Sequence, residues 1–168
     1  MSAIQKTAVS GAISVHKLGL EGDEQADLSV HGGLSKAVYA YPSEHYPYWR
    51  EQQRLLGIDN PLSYGSMGEN LTLSGLLEQD VCVGDELHFQ DCTLRVTEPR
   101  QPCFKFNAVM KDKEAAKKMA QTGFCGFYLA VIRTGTISAG ESFTLVHGAR
   151  ETPISELFQV AMRKTASD

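Results

Sequence analysis

Eight consecutive residues, Glu98-Pro99-Arg100-Gln101-Pro102-Cys103-Phe104-Lys105, bring together a sulfur, two cations and two prolines. A cysteine does chemistry as its thiolate, which attacks electrophiles and binds soft metals. Arg100 lies three residues before the sulfur and Lys105 two after it, and nearby cations favour the charged form. Pro99 and Pro102 each fix φ and bias the preceding residue towards extended backbone, which predicts a stiff loop with no helix running through it. The competing reading makes Cys103 a small buried apolar residue, as most free cysteines are.

A second stretch has the composition of an anion cradle. Gly19, Gly22 and Asp23 are followed by His31-Gly32-Gly33-Leu34-Ser35-Lys36, so two glycine-bearing loops flank a polar segment. Glycine permits φ > 0 and close backbone approach, so successive N–H groups can converge on an anion while Ser35 and Lys36 add a hydroxyl and a charge. The glycine spacings of a P-loop or a dinucleotide fingerprint are absent, and a plain tight turn is the competing reading.

The elements that must hold these loops are mostly short strands. Residues 8–16 form a strand candidate interrupted by Gly11, and 37–41 read as a buried strand. A helix is expected from an N-cap at Ser43 to near Gly57, with Pro47 in its first turn and Tyr46, Trp49, Gln53 and Leu56 on one face. Glu69 and Asn70 precede the strand at 71–73, and 81–89 and 93–97 alternate apolar and polar residues as half-buried strands do. The second of these delivers Cys103. A helix over 111–121 ends at Gly123, an apolar strand covers 124–133, and Thr152 caps a last helix with Pro153 at its first position. Many short strands with turn signals predict a mainly β chain, a closed or nearly closed barrel with a few accessory helices.

The 168 residues are read as a single domain over 1–168, with a barrel core at about 8–148 and a C-terminal helix at about 152–163. With 42% hydrophobic and 21% charged residues, a sizeable core is available. The net charge of -4 and the lack of a Lys/Arg run argue against a nucleic-acid polymer as partner, while leaving small anions open. No stretch resembles a signal peptide or membrane span, so a cytoplasmic protein without a membrane partner is expected. Cys82, Cys92, Cys103 and Cys125 lack zinc-site spacing and are too scattered for a disulfide framework, and Cys82 and Cys125 sit in apolar surroundings.

Five motifs in this order resemble the MOSC domain, found at the C-terminus of molybdenum cofactor sulfurases. Within it they resemble the bacterial branch that confers resistance to 6-N-hydroxylaminopurine. The motifs are Gly19-Leu20-Glu21-Gly22-Asp23, His31-Gly32-Gly33, Ala40-Tyr41-Pro42-Ser43-Glu44-His45-Tyr46, Gly68-Glu69-Asn70-Leu71 and Val96-Thr97 followed by the Glu98 to Lys105 stretch, spanning roughly residues 10 to 148. The resemblance implies a MOSC-type β-barrel, a molybdopterin-type molybdenum cofactor, and Cys103 as the family's characteristic cysteine and metal ligand. Relatives in this branch carry a small helical domain after the barrel, where this sequence has residues 152–168.

The implied chemistry can be set beside the residues. A thiolate suits a high-valent metal that takes an oxygen atom from an N–OH group and releases it as water. Two electrons are needed, and with no iron–sulfur cysteine set and no flavin or nicotinamide fingerprint they are expected from an external electron-donor protein. On this reading Arg100, Asp23, Gly32, Gly33, Ser35, Lys36, Asn70 and Lys105 hold the cofactor, with Cys103 and His31 catalytic and His31 or Asn70 orienting the small-molecule substrate or donating a proton. His31 is read equally well as a turn histidine bonded to backbone. Two other functions use the same exposed thiolate beside an anion pocket: a sulfur carrier with a Cys103 persulfide, and a non-enzymatic cofactor carrier. Cys103, Arg100 and His31 are expected in one cleft. Thermal melts test the cysteines: Cys82→Ser and Cys125→Ser should each lose about 1 to 3 kcal/mol, because an unpaired hydroxyl enters an apolar site, while Cys103→Ser should leave stability nearly unchanged.

Overall fold

The computed structural model describes residues 6–23, 33–59 and 62–168; His31 and Gly32 lie outside them. Among the described residues, nine strands form two sheets. β3 (Val38–Pro42), β4 (Leu71–Leu73), β5 (Glu86–His88), β6 (Thr93–Pro99), β7 (Phe127–Arg133) and β9 (Thr144–Val146) make a curled six-stranded sheet in the order β4-β3-β7-β6-β5-β9. All neighbours in it are antiparallel except β3 and β4. β1 (Ala12–His16), β2 (Gly19–Leu20) and β8 (Gly135–Ser138) form a three-stranded antiparallel sheet in the order β2-β1-β8. Only Thr134 separates β7 from β8, so the chain passes directly from one sheet to the other.

The alternation of side chains along β3 explains how one sheet serves two cores. Val38 and Ala40 face a barrel interior shared with Leu87, Leu94, Val96, Leu129 and, from the smaller sheet, Val15 and Ile137. Tyr39 and Tyr41 face the other way, into a layer of helices with Trp49, Phe106, Met119 and Phe158. Every residue of β3 is buried, as a strand packed on both faces requires. The helices are α1 (Tyr46–Leu55), α2 (Phe104–Met110), α3 (Ala115–Thr122) and α4 (Ile154–Ser167). The mainly β barrel with accessory helices expected from the sequence is the fold observed.

Several boundaries differ from expectation, each for a local reason. Ser43 starts a single 3-10 turn, Ser43–His45, without a side-chain cap, and α1 follows from Tyr46. Leu56, placed on the inner face from its spacing, is 50% exposed, because α1 ends at Leu55 and the chain turns away there. The helix expected over 111–121 begins at Ala115, since Lys111 adopts a left-handed φ of 53° that closes α2 instead. The strand expected from Phe124 begins at Phe127, because the chain first passes through Gly126 at φ 69°. A Cβ on Gly126 would lie 2.5 Å from the Ala40 carbonyl oxygen, so glycine is required there. At α4 the cap position belongs to Pro153 and makes no side-chain cap bond.

The loop before β4 is organised by one buried carboxyl group. Glu69 accepts hydrogen bonds from the Tyr46 hydroxyl, the Gly65 N–H at 2.9 Å, the Met67 N–H at 3.0 Å and the Thr72 hydroxyl at 2.9 Å. Burial, reinforced by the negative field of Glu69, pushes the Tyr46 phenol well above its ordinary pKa, so it stays a donor. Replacing Glu69 with Ala strands two backbone N–H groups and the phenol in a dry interior. The expected loss is roughly 3 kcal/mol in thermal or urea unfolding, against roughly 1 kcal/mol for Tyr46→Phe, which removes only one donor.

Candidate functional site

Strand β6 runs antiparallel to β7, with Pro99 opposite Phe127, and its end carries the proline-bearing stretch out of the barrel. Only Arg100, Gln101 and Pro102 separate β6 from Cys103, which is the N-cap residue of α2 with extended backbone at φ -132° and ψ 143°. The expectation of no helix through this segment is corrected at its end: the chain stays non-helical as far as Cys103, and α2 begins at Phe104, so the last two residues of the stretch, Phe104 and Lys105, are helical. The first turn is closed by the Phe106 N–H donating to the Cys103 carbonyl at 2.9 Å.

Cys103 is half-buried in a cleft of about 840 Å³, while Cys82, Cys92 and Cys125 are buried. Burial pushes the Cys125 thiol well above its ordinary pKa and raises that of Cys92. The cleft is built from three distant parts of the chain. Glu98, Pro99, Pro102 and Lys105 come from the β6–α2 stretch, Lys36 and Tyr128 from the sheet side, and Leu157 and Ala161 from α4. Lys36 pairs with Glu98 at 3.2 Å and sits 5.5 Å over the Tyr128 ring. The turn Leu34–Lys36 is pinned to the sheet, since the Thr97 hydroxyl donates to the Ser35 carbonyl at 2.5 Å. Gly33, at φ 91°, opens that turn.

Arg100 was expected beside Cys103 as an anion ligand, and its side chain goes elsewhere. Its guanidinium is buried, donating from Nη1 to the Tyr39 hydroxyl at 3.1 Å and to the Met67 carbonyl at 2.5 Å, with its carbon 5.0 Å over the Tyr39 ring and 5.3 Å over the Phe106 ring. It does not line the cleft. The pull is physical: a carbonyl, a phenol and two ring faces accept the charge inside. Burial opposes its charge, but the surrounding Tyr39, Tyr128 and Tyr41 hold its pKa above the ordinary value. Asp23 and Asn70 are likewise occupied with each other. Asn70 donates to Asp23 at 2.8 Å and accepts from the Tyr39 N–H at 2.8 Å, and Lys6 pairs with Asp23 at 3.0 Å. Asn70 lines a separate cleft of about 390 Å³ between the two sheets.

Of the expected site residues, the structure therefore brings Cys103, Lys36 and Lys105 into one cleft, with Gly33 and Ser35 in the adjoining turn and Arg100 behind the wall. Tyr128 was missed, hidden in an apolar strand read as core. The signal was the period of two: Phe127, Leu129 and Val131 face the barrel, so Tyr128 faces the other side. Burial raises the Tyr128 phenol pKa, against the pull of Arg100 and Lys36. Among the described residues no group of three His, Cys, Asp or Glu side chains is arranged to hold a metal by protein ligands alone, and no helix is long and apolar enough to cross a membrane.

Protein YflK of Bacillus subtilis, described as uncharacterized, is 41% identical over 145 residues, which cover 86% of this chain and 63% of that protein. The chain thus spans less than two thirds of that relative. A protein named "Reductase" from Gibberella moniliformis is 38% identical over 151 residues, 86% of this chain and 26% of the fungal protein. The solved structure of YiiM from Geobacillus stearothermophilus superposes with a TM-score of 0.81 at 34% identity, over 96% of this chain and 74% of that one. The model of the MOSC domain matches residues 27–144, which take in β3 to β8 and the Cys103 loop. With the sequence motifs, the barrel and this match in agreement, the chain belongs to the MOSC domain family.

Proposed function

We propose that the Cys103 cleft binds a molybdopterin-type molybdenum cofactor, with Cys103 as metal ligand, and that the protein reduces N-hydroxylated bases or related N-oxygenated compounds. The observation that carries this reading is the half-buried Cys103 sulfur in a cleft with two cations, while the other three cysteines are buried. A soft sulfur donor suits the metal, and Lys36 and Lys105 suit an anionic organic group beside it. Family membership and the printed name of the fungal relative support the reductase direction.

Bound there, the cofactor supplies a metal that changes oxidation state by two electrons and so lends itself to oxygen-atom transfer. The net reaction takes R–NH–OH, two electrons and two protons to R–NH2 and water. The residues of the chain supply the rest. The rigid backbone between β6 and α2 fixes the direction of the sulfur, and Lys36, held by Glu98 and the Tyr128 ring, presents a cation at a set height above the cleft. The Tyr128 phenol, kept protonated by burial, is a hydrogen-bond donor in the cleft wall. His31 is retained as the proposed proton donor. Gly32, Gly33 and Ser35 are the proposed backbone contacts to the anionic part of the cofactor.

Protein purified from a host that makes the cofactor should contain close to one molybdenum per chain by elemental analysis. It should also reduce an N-hydroxylated purine when supplied with an artificial electron donor. Cys103→Ser should abolish the turnover and lower the metal content at least about tenfold, with the melting temperature nearly unchanged, because oxygen replaces a soft ligand at a half-buried position. Full activity in Cys103→Ser rejects the mechanism. A mass gain of one sulfur on Cys103 without metal favours the persulfide carrier instead.

A further inference from the structure

We propose that the cleft of about 390 Å³ between the two sheets is a second ligand site, which takes a slender apolar molecule with a cationic amine head, its tail in the mouth of the barrel and its head on Glu141. The proposal is independent of the reductase reading. β4 ends the large sheet on one side and the small sheet ends at β2 and β8, so among the described strands none bridges the gap between them. The cleft lies in this opening and shares no lining residue with the Cys103 cleft.

Its floor is continuous with the hydrophobic core. Leu73, Phe89 and Ile137 are buried there, and Leu20 and Leu71, half-buried, pack against the same core. Val9 and Tyr64, also in its lining, are 59% and 49% exposed, which places them at the rim. An opening of this size, with a buried apolar floor and exposed apolar sides, favours a hydrocarbon guest. Water in it meets few polar partners, and a tail laid along it removes apolar area from solvent on the floor and at the rim together.

The polar lining decides the head group. No Lys, Arg or His lines the cleft, and its two carboxylates are Glu69 and Glu141. Glu69 is spent: it accepts from Tyr46, Gly65, Met67 and Thr72, which fills the lone-pair sites that a carboxylate offers. Asn70 is occupied as well, its oxygen by the Tyr39 N–H and its nitrogen by Asp23. Glu141 differs. Its Oε1 accepts from the Gln90 N–H at 3.1 Å and its Oε2 from the Ser138 N–H at 3.0 Å, so each oxygen keeps room for a second donor. Two backbone donors from separate segments hold the carboxylate in one direction, and among the described residues it has no ion-pair partner. A carboxylate fixed in advance at the edge of an apolar cleft selects an ammonium head over a hydroxyl and rejects an anionic one.

The test uses the intact chain with n-octylamine, n-octanol and n-octanoate, three heads on one tail, each kept below the concentration at which it forms micelles. In an NMR titration n-octylamine should shift the amides of residues 71–73 and 137–141 and leave those of residues 103–106 in place. By calorimetry it should bind at least about tenfold more tightly than n-octanoate and at least about threefold more tightly than n-octanol, and it should raise the melting temperature. Glu141→Gln should erase the advantage of the amine over the alcohol, and raising salt should do the same in the parent, which covers the case of a variant that does not fold. Ala139→Trp, at an exposed position of the lining, should weaken n-octylamine and n-octanol at least about tenfold with an unchanged melt, because the ring fills the opening. Cys103→Ser should bind n-octylamine as the parent does. No shift at residues 71–73 or 137–141 with n-octylamine overturns the site, as do shifts centred on Cys103. Equal binding of the three heads by the parent, or an amine preference that survives Glu141→Gln, overturns the assignment of the head to Glu141.

Discussion

A guanidinium held inside the protein fixes the geometry at this corner. Arg100 joins four parts of the chain: its own backbone N–H reaches the Gly126 carbonyl at 3.4 Å, and its side chain reaches Tyr39 on β3, Met67 in the Glu69 loop and Phe106 on α2. Its partners among the described residues are neutral, so the charge is balanced by dipoles and ring faces rather than by a carboxylate. Taking a cation out of water costs several kcal/mol, and such a site persists only when every contact is in place. Cys103 comes three residues later, and its position is a consequence of that anchorage.

A second buried network braces the same corner from the other side. Glu78 accepts from the Gly126 N–H at 2.8 Å and is bonded to His45 at 2.8 Å, and the His45 ring stacks on Phe124 at 3.9 Å. The Tyr39 hydroxyl donates to the Cys125 carbonyl and the Tyr41 hydroxyl to the Phe124 carbonyl. The segment 124–126 is therefore gripped through its backbone by polar side chains from β3 and from the chain before β5. These are satisfied interactions in a dry interior, where each bond is strengthened by its neighbours. They make this end of the barrel stiff, and the cleft lies on its outer surface.

The fold was legible in the sequence wherever one periodicity governed. The run at 37–41 announces a strand buried on both faces, and the alternation at 93–97 announces β6. Cys103 could be singled out because its cations and prolines are its sequence neighbours. The direction of Arg100 could not, since it is decided by Tyr39 and Met67, 61 and 33 residues away. The same holds for Asn70 and Asp23, polar residues beside a glycine loop that satisfy one another rather than a ligand. α2 was masked by Pro102, which forbids helix before it and permits one directly after Cys103. Leu157 and Ala161 carry no local mark at all. They become part of the cleft only because α4 packs where β6 ends.

That last contact has a consequence for biosynthesis. Ribosomes emit chains from the N-terminus, and domains condense as their segments appear. When β9 has emerged, the barrel strands, the sulfur and both lysines of the cleft are already outside, yet the wall supplied by α4 is still in the exit tunnel. A nascent chain at this stage presents an open ledge rather than a cleft. A guest that needs the α4 wall can then be enclosed only once α4 has left the tunnel and packed where β6 ends.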